Sequence, residues 1–222
     1  MSAPPQVAGT RHRAASGPEP VWVVVIRLLD GFVRLGLRVR IAGLENIPRS
    51  GPALLVANHV SYLDPVVLIV VGHRAGRRTR FLAVQEAFER PGSGFIVRAG
   101  RHIPIGPSAA ERMLAIRQAR YELRRGEVVL IYPEGTITTG NEQRDAQGGA
   151  GLLAMTSGVP VIPMRTWGLE RGASPWWRRR RAAVAIGPPV DLAPAHAVAG
   201  RRRYEVASTL ALDAVRALRR PA

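Results

Sequence analysis

Three short stretches carry the residues whose types and spacing could do chemistry. They are Asn58-His59 with Asp64 closing an x4 gap, Tyr132-Pro133-Glu134-Gly135-Thr136, and Val161-Ile162-Pro163. A histidine held by a carboxylate can take a proton from a hydroxyl, which is what moving an acyl group onto an alcohol requires. Asp64 directly before Pro65 also fits a purely structural reading, an N-cap aspartate with proline at the first helical position. Pro133 and Gly135 read equally as a strand-ending turn, and the glutamate between them is what lifts the stretch above that.

The elements that must position these residues follow from the apolar pattern. Ala53–Ala57 is a short branched run that reads as a buried strand, and residues 65–74 read as a helix, so His59 and Asp64 fall in the turn between them. Further strands are expected at 39–41, 80–84, 128–132, 160–164 and 182–186. The stretch 43–48 reads as a loop, 91–106 as loop with a short extended piece near Ile103, and 137–147 as polar loop. Ser108 with Glu111 forms a capping box for a helix to Arg125, stopped by Gly126. A helix at 148–157 and a final one at 201–220, with Val206, Leu210, Val215 and Leu218 in the core, complete the chain. Strands alternating with helices indicate a single α/β domain on a mostly parallel sheet, with ligands taken at the carboxyl ends of its strands.

A length of 222 residues suits one sizeable domain, and the absence of cysteine excludes disulfides and thiolate metal sites. The net charge is +16 and every basic residue except histidine is arginine. Such an excess favours an anionic partner, nucleic acid or an anionic membrane surface. Aromatic content of 5% and the lack of any nucleic-acid-binding motif argue against the former. Residues 1–20 read as a disordered tail without the order of a signal peptide. Residues 21–38 read as an amphipathic membrane-associating helix lying flat on a bilayer, too short in its apolar run for the ~18 residues of a span. Arg27, Asp30, Arg34 and Arg38 form its polar stripe; Trp22, Val25, Ile26, Leu29, Phe32 and Val33 form the other side. Packing of that side on the core is the alternative. Trp176-Trp177 with Arg178–Arg181 fits an interfacial anchor or a solvated loop. No metal-ligand cluster is evident, and His12, His73, His102 and His196 have no partner pattern.

Over residues 21–192 the chain resembles the 1-acylglycerol-3-phosphate acyltransferase family. Asn58, His59 and Asp64 match its Asn-His-x4-Asp motif, Tyr132–Thr136 its aromatic-Pro-Glu-Gly-Thr motif, and Val161-Ile162-Pro163 its apolar-proline motif. The resemblance implies a glycerol-phosphate acyltransferase-like fold and an O-acyltransferase at the cytoplasmic face of the cell membrane, peripheral or monotopic. It implies acyl-CoA or acyl carrier protein as donor, a lysophospholipid as acceptor, and no cofactor. His59 would be the general base and Asp64 its orienter, with Asn58, Glu134, Gly135 and Thr136 binding substrate. No Gly-x-Ser-x-Gly elbow is present, and a thioester donor needs no covalent acyl-enzyme. Three basic residues usual in the family are missing. The stretch 103–108 has no arginine, the position after Thr136 is Ile137, and the position before the next helix is Gln147. Arg98, Arg101, Arg144 or Arg165 are the candidate substitutes, with Arg98 and Arg101 taken as substrate-binding. Those losses keep open a different lipid or non-phosphate alcohol as acceptor, and a non-catalytic basic lipid-binding relative.

Overall fold

Seven runs of branched and small apolar residues pair into one sheet. They are β1 (Leu37–Ala42), β2 (Ala53–Ala57), β3 (Thr79–Val84), β4 (Ile103–Ile105), β5 (Val128–Ile131), β6 (Val161–Trp167) and β7 (Arg180–Ile186), in the order β1-β7-β6-β2-β5-β3-β4. Every neighbouring pair is parallel except β6 with β7. The computed structural model describes residues 20–138, 144–170 and 180–222. The expected tail at 1–19, His12 and the anchor residues Trp176 to Arg179 lie outside the described residues. β2 lies between β5 and β6, and all five of its residues are buried. A strand covered on both faces reads as a continuous apolar run, which is the signal that Ala53–Ala57 carries.

Helices cover both faces. α1 (Pro20–Gly36), α2 (Asp64–Arg74) and α4 (Ser93–Ala99) pack on one, with Leu55, Phe81, Leu130 and Ile162 beneath them. α5 (Ala109–Arg124), α6 (Gly148–Ser157) and α8 (Arg202–Ala217) pack on the other, over Leu54, Val56, Val129 and Val161. Short helices α3 (Gln85–Glu89) and α7 (Ala193–His196) fill connections. The capping box of α5 forms as expected, Ser108 Oγ accepting from Glu111 N at 3.2 Å and Glu111 accepting from Ser108 N at 2.9 Å.

Four expectations need correcting. The stretch 91–106 is not mainly loop. Two of its glycines, Gly94 and Gly100, are packing positions inside or beside α4. A Cβ on Gly94 would lie 2.4 Å from the Phe88 carbonyl oxygen, and one on Gly100 2.3 Å from His102 Nε2. In α8, of the expected core residues only Val215 is fully buried, alongside Ala207, Ser208, Ala211 and Leu212. Close approach of α6 selects small residues there: a Cβ on Gly151 would sit 1.9 Å from the Tyr204 carbonyl oxygen. α2 begins at Asp64, with Leu63 at the N-cap and no side-chain cap.

The fourth correction concerns α1. Trp22, Val25, Ile26 and Val33, expected on the bilayer side, are buried in the core. Trp22 meets the edge of His102 at 5.7 Å between ring centroids and lies beneath Arg78. Burial, reinforced by Arg78 and Arg80, lowers the His102 pKa to about 3, so the ring is a neutral core group that accepts from Phe81 N. Val21, Val24, Leu28, Phe32 and Leu35 form a second apolar stripe at helical spacing, and this one is exposed. Arg38 belongs to β1 rather than to the helix's polar stripe.

Arg80 joins the layers from inside. Its guanidinium is buried between Glu122 of α5, at 3.0 Å, and Glu127 before β5, at 3.4 Å. Breaking a buried pair by removing one partner strands the charge that is left. Arg80→Met, with both glutamates retained, is expected to lower stability by about 3–5 kcal/mol, measured by urea unfolding. A change within about 0.5 kcal/mol, the range of an ordinary surface substitution, would show the cluster to be solvated.

Candidate active site

The loop from β2 into α2 wraps around one carboxylate. Asp64 is fully buried, and its Oδ2 accepts from Val60 N at 2.6 Å, Ser61 N at 2.8 Å and His59 Nδ1 at 3.1 Å. With Asp64 Oδ2 as the acceptor, Nδ1 is the ring nitrogen of His59 that donates. The other face of the loop is held by Glu134, whose Oε2 accepts from His59 N at 3.2 Å and from Thr138 Oγ1 at 2.6 Å. Thr138 N also donates to the His59 carbonyl at 2.7 Å. The His59 backbone is thus pinned through both its N–H and its C=O.

Asn58 extends the sheet. Its Nδ2 donates to the Thr166 carbonyl at 3.1 Å and its Oδ1 accepts from Thr166 N at 2.8 Å, so the side chain continues the β2–β6 ladder past Ala57. Thr166 Oγ1 sits between Asn58 Oδ1 and Asp64 Oδ1. Tyr132 stacks on the imidazole, centroids 4.1 Å apart and planes 15° from parallel. Its hydroxyl is enclosed, and burial followed by the Asp64 charge raises its pKa well above the phenolic norm, so it stays neutral. Gly135 is at φ +69°, a left-handed turn conformation that favours glycine, with the Gln147 side chain close by.

His59 lines a cavity of about 930 Å³ between the carboxyl ends of the central strands and helices α3, α5, α6 and α8. Apolar walls come from Val66, Ile69, Leu82, Val97, Ile116 and Leu152, and Arg90, Arg112 and Arg201 bring positive charge to it against Glu86 and Glu205. Of the expected site residues, His59, Gly135 and Thr136 line this cavity. Asp64 stands behind His59. Asn58 and Glu134, expected to bind substrate, are committed to the loop by the bonds above. Arg98 donates to the Phe88 carbonyl, tying α4 to α3, and Arg101 is an exposed residue at φ 50° after α4; neither lines the cavity. Nor does Arg144, or Arg165, which donates to the Arg216 and Leu218 carbonyls. Sequence reasoning missed Thr138, Thr166 and the three cavity arginines. Thr138 stands four residues after Glu134, the only local signal any of them gives.

A mostly parallel-sheet domain with a carboxylate-held histidine at a strand end, opening on a cavity with apolar walls, defines a class for which comparison gives a family. The family model described as Acyltransferase matches residues 38–167, and the chain belongs to that family. It is 33% identical over 159 residues to the uncharacterized protein Rv0502 of Mycobacterium tuberculosis, covering 66% of this chain and 42% of that one. It is 25% identical over 181 residues to the chloroplastic 1-acyl-sn-glycerol-3-phosphate acyltransferase LPAT1 of Arabidopsis thaliana, covering 79% and 50%. The chain therefore spans half the length of these relatives or less. Its fold matches the 1-acyl-sn-glycerophosphate acyltransferase PlsC of Thermotoga maritima with a TM-score of 0.61 at 23% identity, over 89% of this chain and 82% of that one.

The two anchors of the loop separate experimentally. Asp64→Ala orphans the Val60 and Ser61 amides, at a cost of about 1–3 kcal/mol for each buried donor. Hydrogen exchange is expected to show both amides deprotected in Asp64→Ala with the His59 amide still protected, and the converse in Glu134→Ala. Loss of protection at all three amides in both variants would mean the loop has one anchor rather than two.

Proposed function

We propose that the protein moves a fatty acyl group from a thioester, acyl-CoA or acyl carrier protein, onto the hydroxyl of a lysophospholipid. The observation that carries this is His59, held at Nδ1 by buried Asp64 while it lines the apolar cavity, so that Nε2 is the nitrogen left for a ligand. Nε2 takes the proton as the acceptor O–H breaks and the oxygen bonds to the acyl carbon; the C–S bond then breaks, and the imidazolium returns the proton to the leaving thiolate. Asp64 is a positioning residue that sets the tautomer and stabilises the imidazolium. Tyr132, stacked on the ring, and Glu134, on the His59 backbone, hold the base in place.

The acceptor we favour is 1-acyl-sn-glycerol 3-phosphate, giving phosphatidic acid. Arg90, Arg112 and Arg201 support a phosphate-bearing ligand, since they bring charge to the cavity from three separate elements. A second reading, a different lysolipid or an uncharged lipid alcohol, is favoured by Ile137 and Gln147, which line the cavity where the resemblance leads one to expect cations. The enzyme would work peripherally on the cytoplasmic face of the membrane. Among the described residues no helix is long and apolar enough to cross one. The exposed stripe of Val21, Val24, Leu28, Phe32 and Leu35 gives α1 a face suited to lying in the interface.

Release of free CoA from a long-chain acyl-CoA, with lysophosphatidic acid, other lysophospholipids and uncharged lipid alcohols in detergent micelles, tests the reaction and its acceptor together. His59→Ala is expected to lower turnover ~10²–10⁴-fold while leaving the thermal midpoint near that of the wild type. A folded His59→Ala that keeps most of its activity would place the base elsewhere. Turnover of an uncharged alcohol but not of lysophosphatidic acid would select the second reading.

A further inference from the structure

β1 and β7 pair in parallel with Arg38 directly opposite Arg181 and Arg40 opposite Ala183. Side chains two apart on a strand share a face, as do directly opposed ones, so Arg38, Arg40 and Arg181 all project from one side of this edge. Like charges facing each other across strands are destabilising. Arg220, from the segment after α8, joins them, and the four line a hollow of about 430 Å³ whose lining contains no acidic side chain. Among the described residues, none of the four guanidiniums has a hydrogen-bond or ion-pair partner. Ala222, which bears the terminal carboxyl, also lines the hollow, and four planar donors against at most that one negative charge suit an anion with several oxygens, above all a phosphate ester.

The position of the hollow says which phosphate. β7 runs antiparallel to β6, and β1 follows β7, so the first residues of β1 and β7 lie at the same end of the sheet as the carboxyl ends of β2, β5 and β6. The hollow therefore lies toward the His59 end of the sheet. β1 stands three strand spacings from β2, about 14 Å across. α1 runs directly into β1 and packs on the face that carries Val39 and Ile41, so the arginines project from the opposite face of the same edge, three residues and more along the chain from exposed Leu35.

We propose that Arg38, Arg40, Arg181 and Arg220 form a binding site for the phosphate headgroups of an anionic bilayer, separate from the catalytic cavity. Held there, the membrane supplies lipid to the His59 end of the sheet. The choice of a lipid over a soluble phosphate rests on the acyltransferase reading above. The binding itself is measured without any acyl donor, so a failed turnover assay leaves the site's test intact.

The experiment is flotation of the full chain with phosphatidylcholine vesicles, with and without phosphatidylglycerol, at several salt concentrations. The triple variant Arg38→Gln/Arg40→Gln/Arg181→Gln is compared with Arg117→Gln/Arg120→Gln/Arg124→Gln, which removes the same charge from α5. Partitioning of the hollow variant onto anionic vesicles is expected to fall on the order of 100-fold and to lose its salt dependence, with the α5 variant little changed. Its thermal midpoint should be unchanged or raised, since cross-strand repulsion is relieved. Equal losses in the two variants would overturn the proposal in favour of diffuse charge. So would CoA or glycerol 3-phosphate binding that depends on the hollow while vesicle binding does not. Loss of duplex DNA binding alone would make the site one for nucleic acid.

Discussion

The Asp64 carboxylate is the point on which the site depends. It has no contact with solvent, and a charge in that position costs several kcal/mol unless its lone pairs are filled. Val60 N, Ser61 N and His59 Nδ1 fill one oxygen, and the start of α2 adds the positive end of a helix dipole. Satisfying the carboxylate therefore dictates the shape of the loop and the direction in which His59 points. The catalytic-looking pair and the helix start are one structure. Asp64 is the first helical residue rather than the cap, and its carboxylate faces back into the loop, where it accepts from His59.

Around that centre, three strand ends are tied to one loop. Asn58 carries the ladder from β2 to β6, and Thr166 reaches from β6 towards both Asn58 and Asp64. Glu134 and Thr138, after β5, hold the His59 backbone. Because β2 is flanked by β5 and β6 in register, these ties are short and enclosed by the sheet. Tyr132, the residue directly after β5, closes the stack over the imidazole. The site is a continuation of the sheet by side chains, which is why its polar residues are mostly committed to one another rather than turned to the cavity.

Much of this was legible in the chain. The buried run Ala53–Ala57, the capping box at Ser108 and Glu111, and the alternation of strands and helices reported the sheet and its layers directly. His59 with Asp64 was readable because the pair is close in sequence. The partners that lie 75 to 108 residues apart were not, since nothing local at Thr166 or Glu134 says that it will meet this loop. For the same reason Asn58 and Glu134 read as substrate ligands when their side chains are structural. α1 misled for a different cause: it is apolar on two sides, so periodicity alone does not say which side the core takes. Trp22 went inward against His102, which itself packs on Phe81, a contact visible only in three dimensions.

The positive charge divides by function. Arg80 is enclosed and paired; Arg98 and Arg165 brace carbonyls; Arg90, Arg112 and Arg201 line the cavity; Arg38, Arg40, Arg181 and Arg220 gather at the β1 edge. Net charge alone suggested an anionic partner, and the distribution separates arginines that brace the fold from those that line a cavity or an edge. All of this presupposes a histidine kept ready by its carboxylate. The most direct measurement is long-range ¹H–¹⁵N NMR on histidine-labelled protein at neutral pH, with the His59 signals assigned by their loss in His59→Ala. The Nδ1–H tautomer is expected at His59, with Nε2 unprotonated, and that preference is expected to be lost in Asp64→Asn. An Nε2–H tautomer in the wild type would contradict it, because no base would then face the cavity.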